Sequence, residues 1–356
     1  MRHFHPEQRS RAVAVWLFVL AAMVLAMVVV GGATRLTHSG LSITQWKPIR
    51  GVIPPLNPSE WAQEFQRYRQ IPQYRLLNQG MSLHEFKGIY WWEWTHRLLG
   101  RLIGVVFLIP FVWFFLTGKL NRKLIVRCVI LFFLGALQGL IGWWMVASGL
   151  EVRTSVAPER LAIHLGAALI LFVALIWTGL EAQAVERESR PPGSWTIIAG
   201  VLLVLAYLQS LMGALVAGNQ AGLVYNDWPL MNGKLIAPVD WKGGALHAFL
   251  HDQSLVQFDH RIGAYLLLMA VTGYGVVIVG ARAPGALKLA AVILAGLVWL
   301  QAALGIATLM NAAPLPLALI HQLGAALVLA AATFNLWRVR RLNERAFAGG
   351  IGAQSL

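Results

Sequence analysis

Long apolar stretches separated by polar segments dominate the chain. About 20 consecutive apolar residues cross the hydrocarbon core of a bilayer as a helix, and eight stretches are of about that length. They cover residues 12–31, 98–118, 124–146, 161–179, 195–217, 262–279, 287–309 and 317–336. Charges inside them are few, and the most notable, Arg101 and Arg127, lie near predicted helix ends. The pattern predicts an all-α integral membrane protein with eight transmembrane helices.

The first apolar stretch has a competing interpretation as a signal peptide, because Arg2, Arg9 and Arg11 precede it. Its apolar run exceeds the roughly 7–15 residues of such a segment, and no small-residue cleavage site follows it cleanly. We therefore interpret it as a retained helix.

The composition agrees with a membrane protein. Hydrophobic residues make up 58% of the 356 residues and charged residues 12%, whereas soluble domains carry about 25% charged residues. The large apolar content excludes disorder, and the single cysteine, Cys128, excludes a disulfide scaffold. The net charge of +14 would indicate a nucleic-acid partner only if the basic residues lined one soluble face. They lie mainly in connections between apolar stretches, so we predict contact with membrane lipid and not with nucleic acid.

The basic residues also predict the orientation, because Lys and Arg in short loops accumulate on the cytoplasmic side. One side of the membrane holds Arg2, Arg9, Arg11, Lys119, Arg122, Lys123, Arg127, Arg187, Arg190, Arg282, Lys288, Arg338, Arg340, Arg341 and Arg345. The short connections on the other side hold only Arg153 and Arg160. The protein is therefore predicted to lie in the inner membrane of a bacterium, with both termini in the cytoplasm, or in an equivalent membrane with both termini in the matrix.

The two halves of the chain resemble each other. Segment 93–98 (EWTHRL) aligns with 257–262 (QFDHRI), and segment 162–168 (AIHLGAA) aligns with 319–325 (LIHQLGA). We predict two pseudo-symmetric four-helix bundles, formed by residues 1–190 and 191–356, with long outer loops at 32–97 and 218–261. An even number of helices in each unit makes the repeats parallel, related by an axis along the membrane normal.

Four of the ten histidines, His96, His164, His260 and His321, occupy repeat-related positions within about one turn of predicted outer helix starts. Each half thus offers two imidazoles at one depth, which suits axial ligation of a haem iron from both faces. Most residues at i+3 and i+4, which share a face with each His, are small. These are Gly100, Ala167, Ala168, Gly263, Ala264, Gly324 and Ala325, with Leu99 as the exception. They predict a flat shelf for a porphyrin.

Two basic residues extend this haem hypothesis. Arg97 and Arg261 each follow a histidine by one position, where a guanidinium can meet a haem propionate. The alternative is that a histidine in a membrane helix is a packing residue or a proton carrier, and small neighbours also promote ordinary helix packing. Zinc is disfavoured because no third ligand recurs beside the histidine pairs.

The halves differ at one informative position. Glu93 lies three residues before His96, whereas the second half has Gln257 in the same place. Residues i and i+3 share a helix face, and an ionisable group in a membrane is a functional candidate by default. We infer that the first half performs a reaction and the second half carries electrons. The alternative is that Glu93 pairs with Arg97 at i+4.

Segments 85–97 (EFKGIYWWEWTHR) and 31–37 (GGATRLT) resemble the haem A synthase family. The resemblance covers essentially the whole chain and implies an oxidoreductase that converts a methyl group of haem O to a formyl group. The product, haem A, serves terminal (cytochrome c) oxidase. The resemblance further implies that His96 and His164 bind the substrate haem O, and that His260 and His321 bind haem b as a cofactor. Glu93 matches the essential carboxylate of the family.

The function implied by the resemblance predicts haem O synthase and an unidentified redox partner as partners, and it leaves open whether the chain forms a homo-oligomer. The histidines lie at the helix ends opposite the basic loops, which predicts haem sites toward the periplasm. Some family members carry cysteine pairs in the outer loops, and this chain has none. It therefore resembles the cysteine-free branch of proteobacteria and mitochondria, in which a disulfide relay to the site is excluded.

The mechanism stays open at this point. If His96 and His164 both ligate the substrate iron, no coordination position is free for oxygen. Either one imidazole leaves during turnover, or the methyl group is oxidised by electron removal and then trapped by water. In the second case Glu93 could accept a proton or stabilise a developing positive charge.

Two other functions compete with the synthase. A dihaem b-type membrane electron carrier would pass electrons without modifying haem, but such carriers usually place haems at both depths of the bilayer, and here all four histidines lie at one end. A transporter would show broken helices or a polar midplane site, and the sequence shows neither.

Overall fold

Eight of the helices are long and apolar enough to cross a membrane. The computed structural model describes residues 10–183 and 193–342, and these ranges fold into eleven α-helices and two short 3-10 turns. The eight spanning helices are α1 (Arg11–Leu36), α4 (Leu83–Leu116), α5 (Arg122–Ala147), α6 (Pro158–Gln183), α7 (Ser194–Gly218), α9 (Gln253–Gly280), α10 (Gly285–Met310) and α11 (Leu315–Arg340). The predicted all-α membrane fold is confirmed. The boundary between residues 190 and 191, and Arg2, Arg9, Arg187, Arg190 and Arg345, lie outside the described residues.

Polar side chains define where several of these helices begin. Asn121 and Asp252 accept hydrogen bonds from the backbone N–H groups of Leu124 and Leu255 at the starts of α5 and α9. At the start of α4, Ser82 and Glu85 form a reciprocal capping box. These caps satisfy backbone N–H groups that have no partner inside the helix, which defines the residues at which the helices begin.

The spanning helices pack in the same order in each half. In the first half α1 packs against α4 and α6, and α5 packs against α4 and α6. In the second half α7 packs against α9 and α11, and α10 packs against α9 and α11. Two rings of four helices result, as the internal repeat predicts. The exact symmetry and the unit boundaries remain predictions.

The two rings are joined through α6, α7, α1 and α11. Near one end of the interface, Gln322 Nε2 donates to the carbonyl oxygen of Val28 at 2.8 Å. Near the other end, Trp337 Nε1 donates to Glu181 Oε1 at 2.8 Å. Gln322 follows His321 directly, so one polar contact between the halves lies beside a candidate ligand.

The first outer connection is a folded cap. It contains α2 (Pro58–Tyr68) and α3 (Pro72–Leu76), and its aromatic residues pack on the outer part of α4. The ring centroids of Trp61 and Tyr90 are 4.9 Å apart, and those of Tyr68 and Phe86 are 5.3 Å apart. The predicted loop at 32–97 was therefore too long at both ends. Helix α1 continues to Leu36, and α4 already begins at Leu83 because the aromatic packing stabilises its first turns.

The second outer connection is shorter than expected for the same reason. Helix α7 continues to Gly218, a short helix α8 covers Ala245–His251, and α9 begins at Gln253. The connecting segment therefore ends well before residue 261. Among the residues described, its only ladder pairing is one antiparallel bridge between Met231 and Lys234.

Candidate functional site

The four candidate ligands lie on α4, α6, α9 and α11. His96 is about three and a half turns from the start of α4, and His260 is about two turns from the start of α9. The expectation that each histidine lies within about one turn of a helix start was wrong, because polar caps and the outer connections extend these helices beyond their apolar stretches. All four side chains are partly exposed.

Each imidazole faces a glycine of a neighbouring helix. The pairs are His96 with Gly31, His164 with Gly142, His260 with Gly213, and His321 with Gly305. A methyl group at Gly305 would lie 2.8 Å from His321 Cε1, and one at Gly31 would lie 3.2 Å from His96 Nε2. Any larger residue would therefore push the ring aside.

These glycines were missed from the sequence, although a signal was present. Gly31 and Gly213 occupy matching positions in the two repeats, and so do Gly142 and Gly305. A glycine that recurs in both copies of a repeat indicates a close approach.

Glu93 is almost completely buried, with 2% of its surface exposed, and its carboxylate has several hydrogen-bonding partners. Glu93 Oε2 accepts from Ser42 Oγ and from the backbone N–H of Ile43, both at 2.8 Å. Glu93 Oε1 accepts from Arg97 Nη2 at 2.6 Å. The pairing with Arg97 that was the structural alternative is therefore present. It does not exclude a chemical role, but it shows that Glu93 holds the first outer connection on α4.

Gln257 in the second half also bonds its outer connection, but the hydrogen bonds run in the opposite direction. Gln257 Nε2 donates to the carbonyl oxygens of Ala221 at 2.8 Å and Tyr225 at 3.2 Å, and Gln257 Oε1 accepts from Arg261 at 3.0 Å. The first connection thus presents donors to Glu93, whereas the second presents acceptors to Gln257. The Glu–Gln difference therefore matches a difference in the hydrogen-bonding groups of the two connections.

Both arginines bind carbonyl oxygens of the outer connections. Arg97 donates to Ile43 at 2.7 Å and to Gln45 at 3.0 Å. Arg261 donates to carbonyls between Tyr225 and Leu230 at 2.9–3.2 Å. Their contact with haem propionates stays a prediction, and it would compete with these bonds.

An acidic residue lies beside the second arginine. Backbone N–H groups, chiefly that of Asn232, lower the pKa of Asp227, and the charge of Arg261 acts in the same direction. The carboxylate of Asp227 therefore adds a negative charge near the guanidinium on the outer side of the second half.

Comparison with known proteins identifies the family. Residues 14–333 match the COX15-CtaA model, described as cytochrome oxidase assembly protein. The chain belongs to this family. Among similar members, the heme A synthase of Caulobacter sp. (strain K31) is 56% identical over 96% of this chain and 100% of its own length. Those of Caulobacter vibrioides and Rhodopseudomonas palustris (strain BisA53) are 54% and 51% identical over 96% and 92% of this chain, and over 100% and 91% of their own lengths.

The distance between the imidazole rings of His260 and His321 shows whether the two side chains can bind one haem iron from opposite sides. Metal–imidazole bonds of about 2 Å, plus about 1 Å from each nitrogen to its ring centre, put two coaxial rings about 6 Å apart. The centroids of His260 and His321 are 6.5 Å apart, and the ring planes are perpendicular, at 89°. Nδ1 of each ring lies 3.0 Å from a glutamine amide nitrogen, and Nε2 of each ring has no hydrogen-bonding partner among the described residues. The second half of this family member fits a bis-histidine haem.

Proposed function

We propose that this chain is a haem A synthase that oxidises a methyl substituent of haem O to a formyl group. The haem A produced is used by terminal oxidase. The observation that supports this most directly is that only the first half places a buried carboxylate, Glu93, three residues from a candidate iron ligand. The second half has the same histidine and arginine positions with an uncharged Gln257.

In this proposal the two halves have different tasks. His96 and His164 bind the iron of the substrate haem O, while His260 and His321 bind haem b. Haem b, when bound, supplies a one-electron relay between the reaction site and a redox partner. The glycines facing the four imidazoles keep the space beside each ring open. Haem O synthase is the enzyme that would supply the substrate.

Glu93 has the central chemical role in the first half. Oxidation of a methyl to a formyl group with water as the oxygen source (R–CH₃ + H₂O → R–CHO + 4 H⁺ + 4 e⁻) releases protons at the site and passes the electrons to the redox partner. A carboxylate beside the substrate can accept one of these protons or stabilise positive charge that develops at the methyl carbon. Arg97 and the two donors from Ser42 and Ile43 hold the carboxylate in one position.

The proposed orientation follows from the basic residues. Arg122, Lys123 and Arg127 near the start of α5, with Arg338 and Arg340 at the end of α11, support a cytoplasmic location for that side of the protein. The four histidines lie toward the opposite ends of their helices, so the haem sites face the periplasm of the inner membrane.

A pigment analysis tests the proposal. The chain is expressed with haem O synthase in a bacterial host that makes no haem A, and extracted haems are separated and characterised as pyridine haemochromes. Formation of haem A supports the synthase. If the purified chain carries haem b while haem O accumulates unchanged, the proposal is wrong and the dihaem electron carrier replaces it.

A further inference from the structure

The candidate ligands of the second half are held by two glutamines from neighbouring helices. Gln209 on α7 lies 3.0 Å from His260 Nδ1 and donates to the backbone oxygen of the same residue at 2.9 Å. Gln301 on α10 makes the same two contacts with His321, at 3.0 and 2.8 Å. Each glutamine therefore bonds both the ring and the backbone of one histidine, which restrains the rotation of the imidazole.

A glycine makes room for each of these glutamines. Gly263 and Gly324 lie three residues after His260 and His321, and a Cβ atom at either position would collide with the Oε1 atom of Gln209 or Gln301. The sequence pattern had assigned these small residues to a porphyrin shelf. In the structure the space that they leave is taken by glutamine side chains.

Around His96, in the first half, both parts of this arrangement are replaced. Met27 occupies the position on α1 that matches Gln209, and Leu99 occupies the position on α4 that matches Gly263. The terminal methyl of Met27 lies near Gly100, 3.5 Å from where a Cβ at that glycine would be. No hydrogen bond to the ring of His96 is present within the described ranges.

Around His164 the glutamine is present but does not reach the ring. Gln138 matches Gln301, yet it bonds only the backbone oxygen of His164, at 3.4 Å. Nδ1 of His164 is buried and has no hydrogen-bonding partner among residues 10–183 and 193–342. The residue that matches Gly324 is Ala167, which carries a Cβ atom, and a Cβ atom at Gly324 would collide with the Gln301 amide.

We propose that Gln209 and Gln301 are positioning residues that make the second half retain its haem, and that the unrestrained imidazoles of the first half allow its haem to be exchanged. This inference rests on the proposed function, because a synthase must release its product after each turnover but keep its cofactor.

The physical basis is the hydrogen bond that a metal-bound imidazole makes with its other nitrogen. Such bonds fix the ring orientation and raise ligand basicity, and their loss typically costs 10–100-fold in metal affinity. A glutamine amide has a donor and an acceptor, so it can bond Nδ1 in either tautomer. The Oε1 atoms of Gln209 and Gln301 are buried and accept no hydrogen bond from the described residues. Iron binding at Nε2 puts the imidazole proton on Nδ1, so each amide would turn its Oε1 toward Nδ1–H and give up its bond to the histidine backbone oxygen.

The first test removes the glutamines from the full-length, haem-loaded protein. Transfer of haem b to apomyoglobin should be about 10–100-fold faster in Gln209→Leu and Gln301→Leu than in the wild type. The midpoint potential of haem b should also rise, since a less basic imidazole stabilises the ferric state less, and a merely structural role would not cause this. Gln138→Leu is the matched control and should leave haem b transfer unchanged.

Two glycine substitutions test the same proposal without removing a polar group. Gly324→Ala should displace Gln301 and accelerate haem b release, whereas Gly273→Ala should not, because a Cβ at Gly273 has nothing within 4 Å. Conversely, Ala167→Gly should let Gln138 reach His164 and slow release of the haem in the first half. Haem b release at the wild-type rate in both glutamine variants and in Gly324→Ala, or unchanged release from the first half in Ala167→Gly, would overturn the proposal.

The outcome can be separated from a failure of the proposed function. If the purified wild type carries no b-type haem, or keeps it in His260→Ala, the assignment of haem b to the second half is wrong. If haem b is present and depends on His260 but its release is insensitive to Gln209 and Gln301, only the retention proposal is wrong.

Discussion

Replacement of Glu93 by glutamine is the most informative single change, because it removes one charge and keeps the shape. In the wild type the carboxylate faces Arg97 on one oxygen, and Ser42 Oγ and the Ile43 N–H on the other. In Glu93→Gln the amide NH₂ group must face either the guanidinium or the two loop donors. Only the Ser42 hydroxyl can rotate to become an acceptor, so at least one N–H group loses its partner.

The magnitude follows from burial. A buried group left without its hydrogen bond costs about 1–3 kcal/mol, and removing one partner of a buried ion pair costs about 3–5 kcal/mol. Arg97 keeps two backbone carbonyl partners and is 17% exposed, so the lower part of this range applies. We expect the first outer connection to dock less stably by about 2–4 kcal/mol.

The assay must separate this docking effect from chemistry. Haem A formation is measured per bound substrate haem, and docking of the connection is measured by limited proteolysis. A proton acceptor contributes about 10²–10⁴-fold, so Glu93→Gln should lose at least that factor while substrate haem remains bound. Ser42→Ala is the matched variant, because it weakens docking and leaves the carboxylate in place.

Two results would refute the reasoning. If Glu93→Gln forms haem A at more than about a tenth of the wild-type rate, Glu93 has no proton-transfer role of the expected size. If Ser42→Ala loses activity as strongly as Glu93→Gln, with the same increase in proteolysis, Glu93 acts only by holding the outer connection.

Three further predictions concern the second half and its outer connection. His260→Ala should lose the bound b-type haem from the absorption spectrum of the purified protein; an unchanged spectrum contradicts the ligand assignment. Gly305→Val should weaken haem b binding by displacing the facing imidazole, whereas Gly296→Val, where a Cβ meets nothing within 4 Å, should bind haem b normally. Burial lowers the pKa of His251, and the negative charge of Glu159 offsets part of this decrease. Docking of α8 should therefore weaken as the pH falls below about 6.5, since the unfolded segment binds the proton more readily. The measurement is amide hydrogen exchange in α8 at pH 7.5 and 5.5, for the wild type and for His251→Gln. If the ratio of the two exchange rates is the same at both pH values, the titration of His251 does not control the docking of α8.

The local pattern of residues was enough to predict the membrane architecture. Eight apolar stretches predict eight spanning helices because burial in lipid depends mainly on the hydropathy of each segment and on satisfying its backbone within one helix. The internal repeat likewise predicts the similar packing of the two halves. His164 and His321 stand out because polar groups are rare in apolar segments, whereas His96, His260 and Glu93 stand out through the alignment of the two repeats.

Tertiary structure decided the surroundings of those residues. Glu93 has partners about 50 positions away in sequence, at Ser42 and Ile43, and Gln209 reaches His260 from another helix. Of two repeat-related glutamines, Gln301 lies within hydrogen-bond distance of its histidine ring, whereas Gln138 bonds only a backbone oxygen. Hydrogen bonds require alignment within a few tenths of an ångström, and that alignment depends on how helices pack, which the hydropathy of a single segment does not determine.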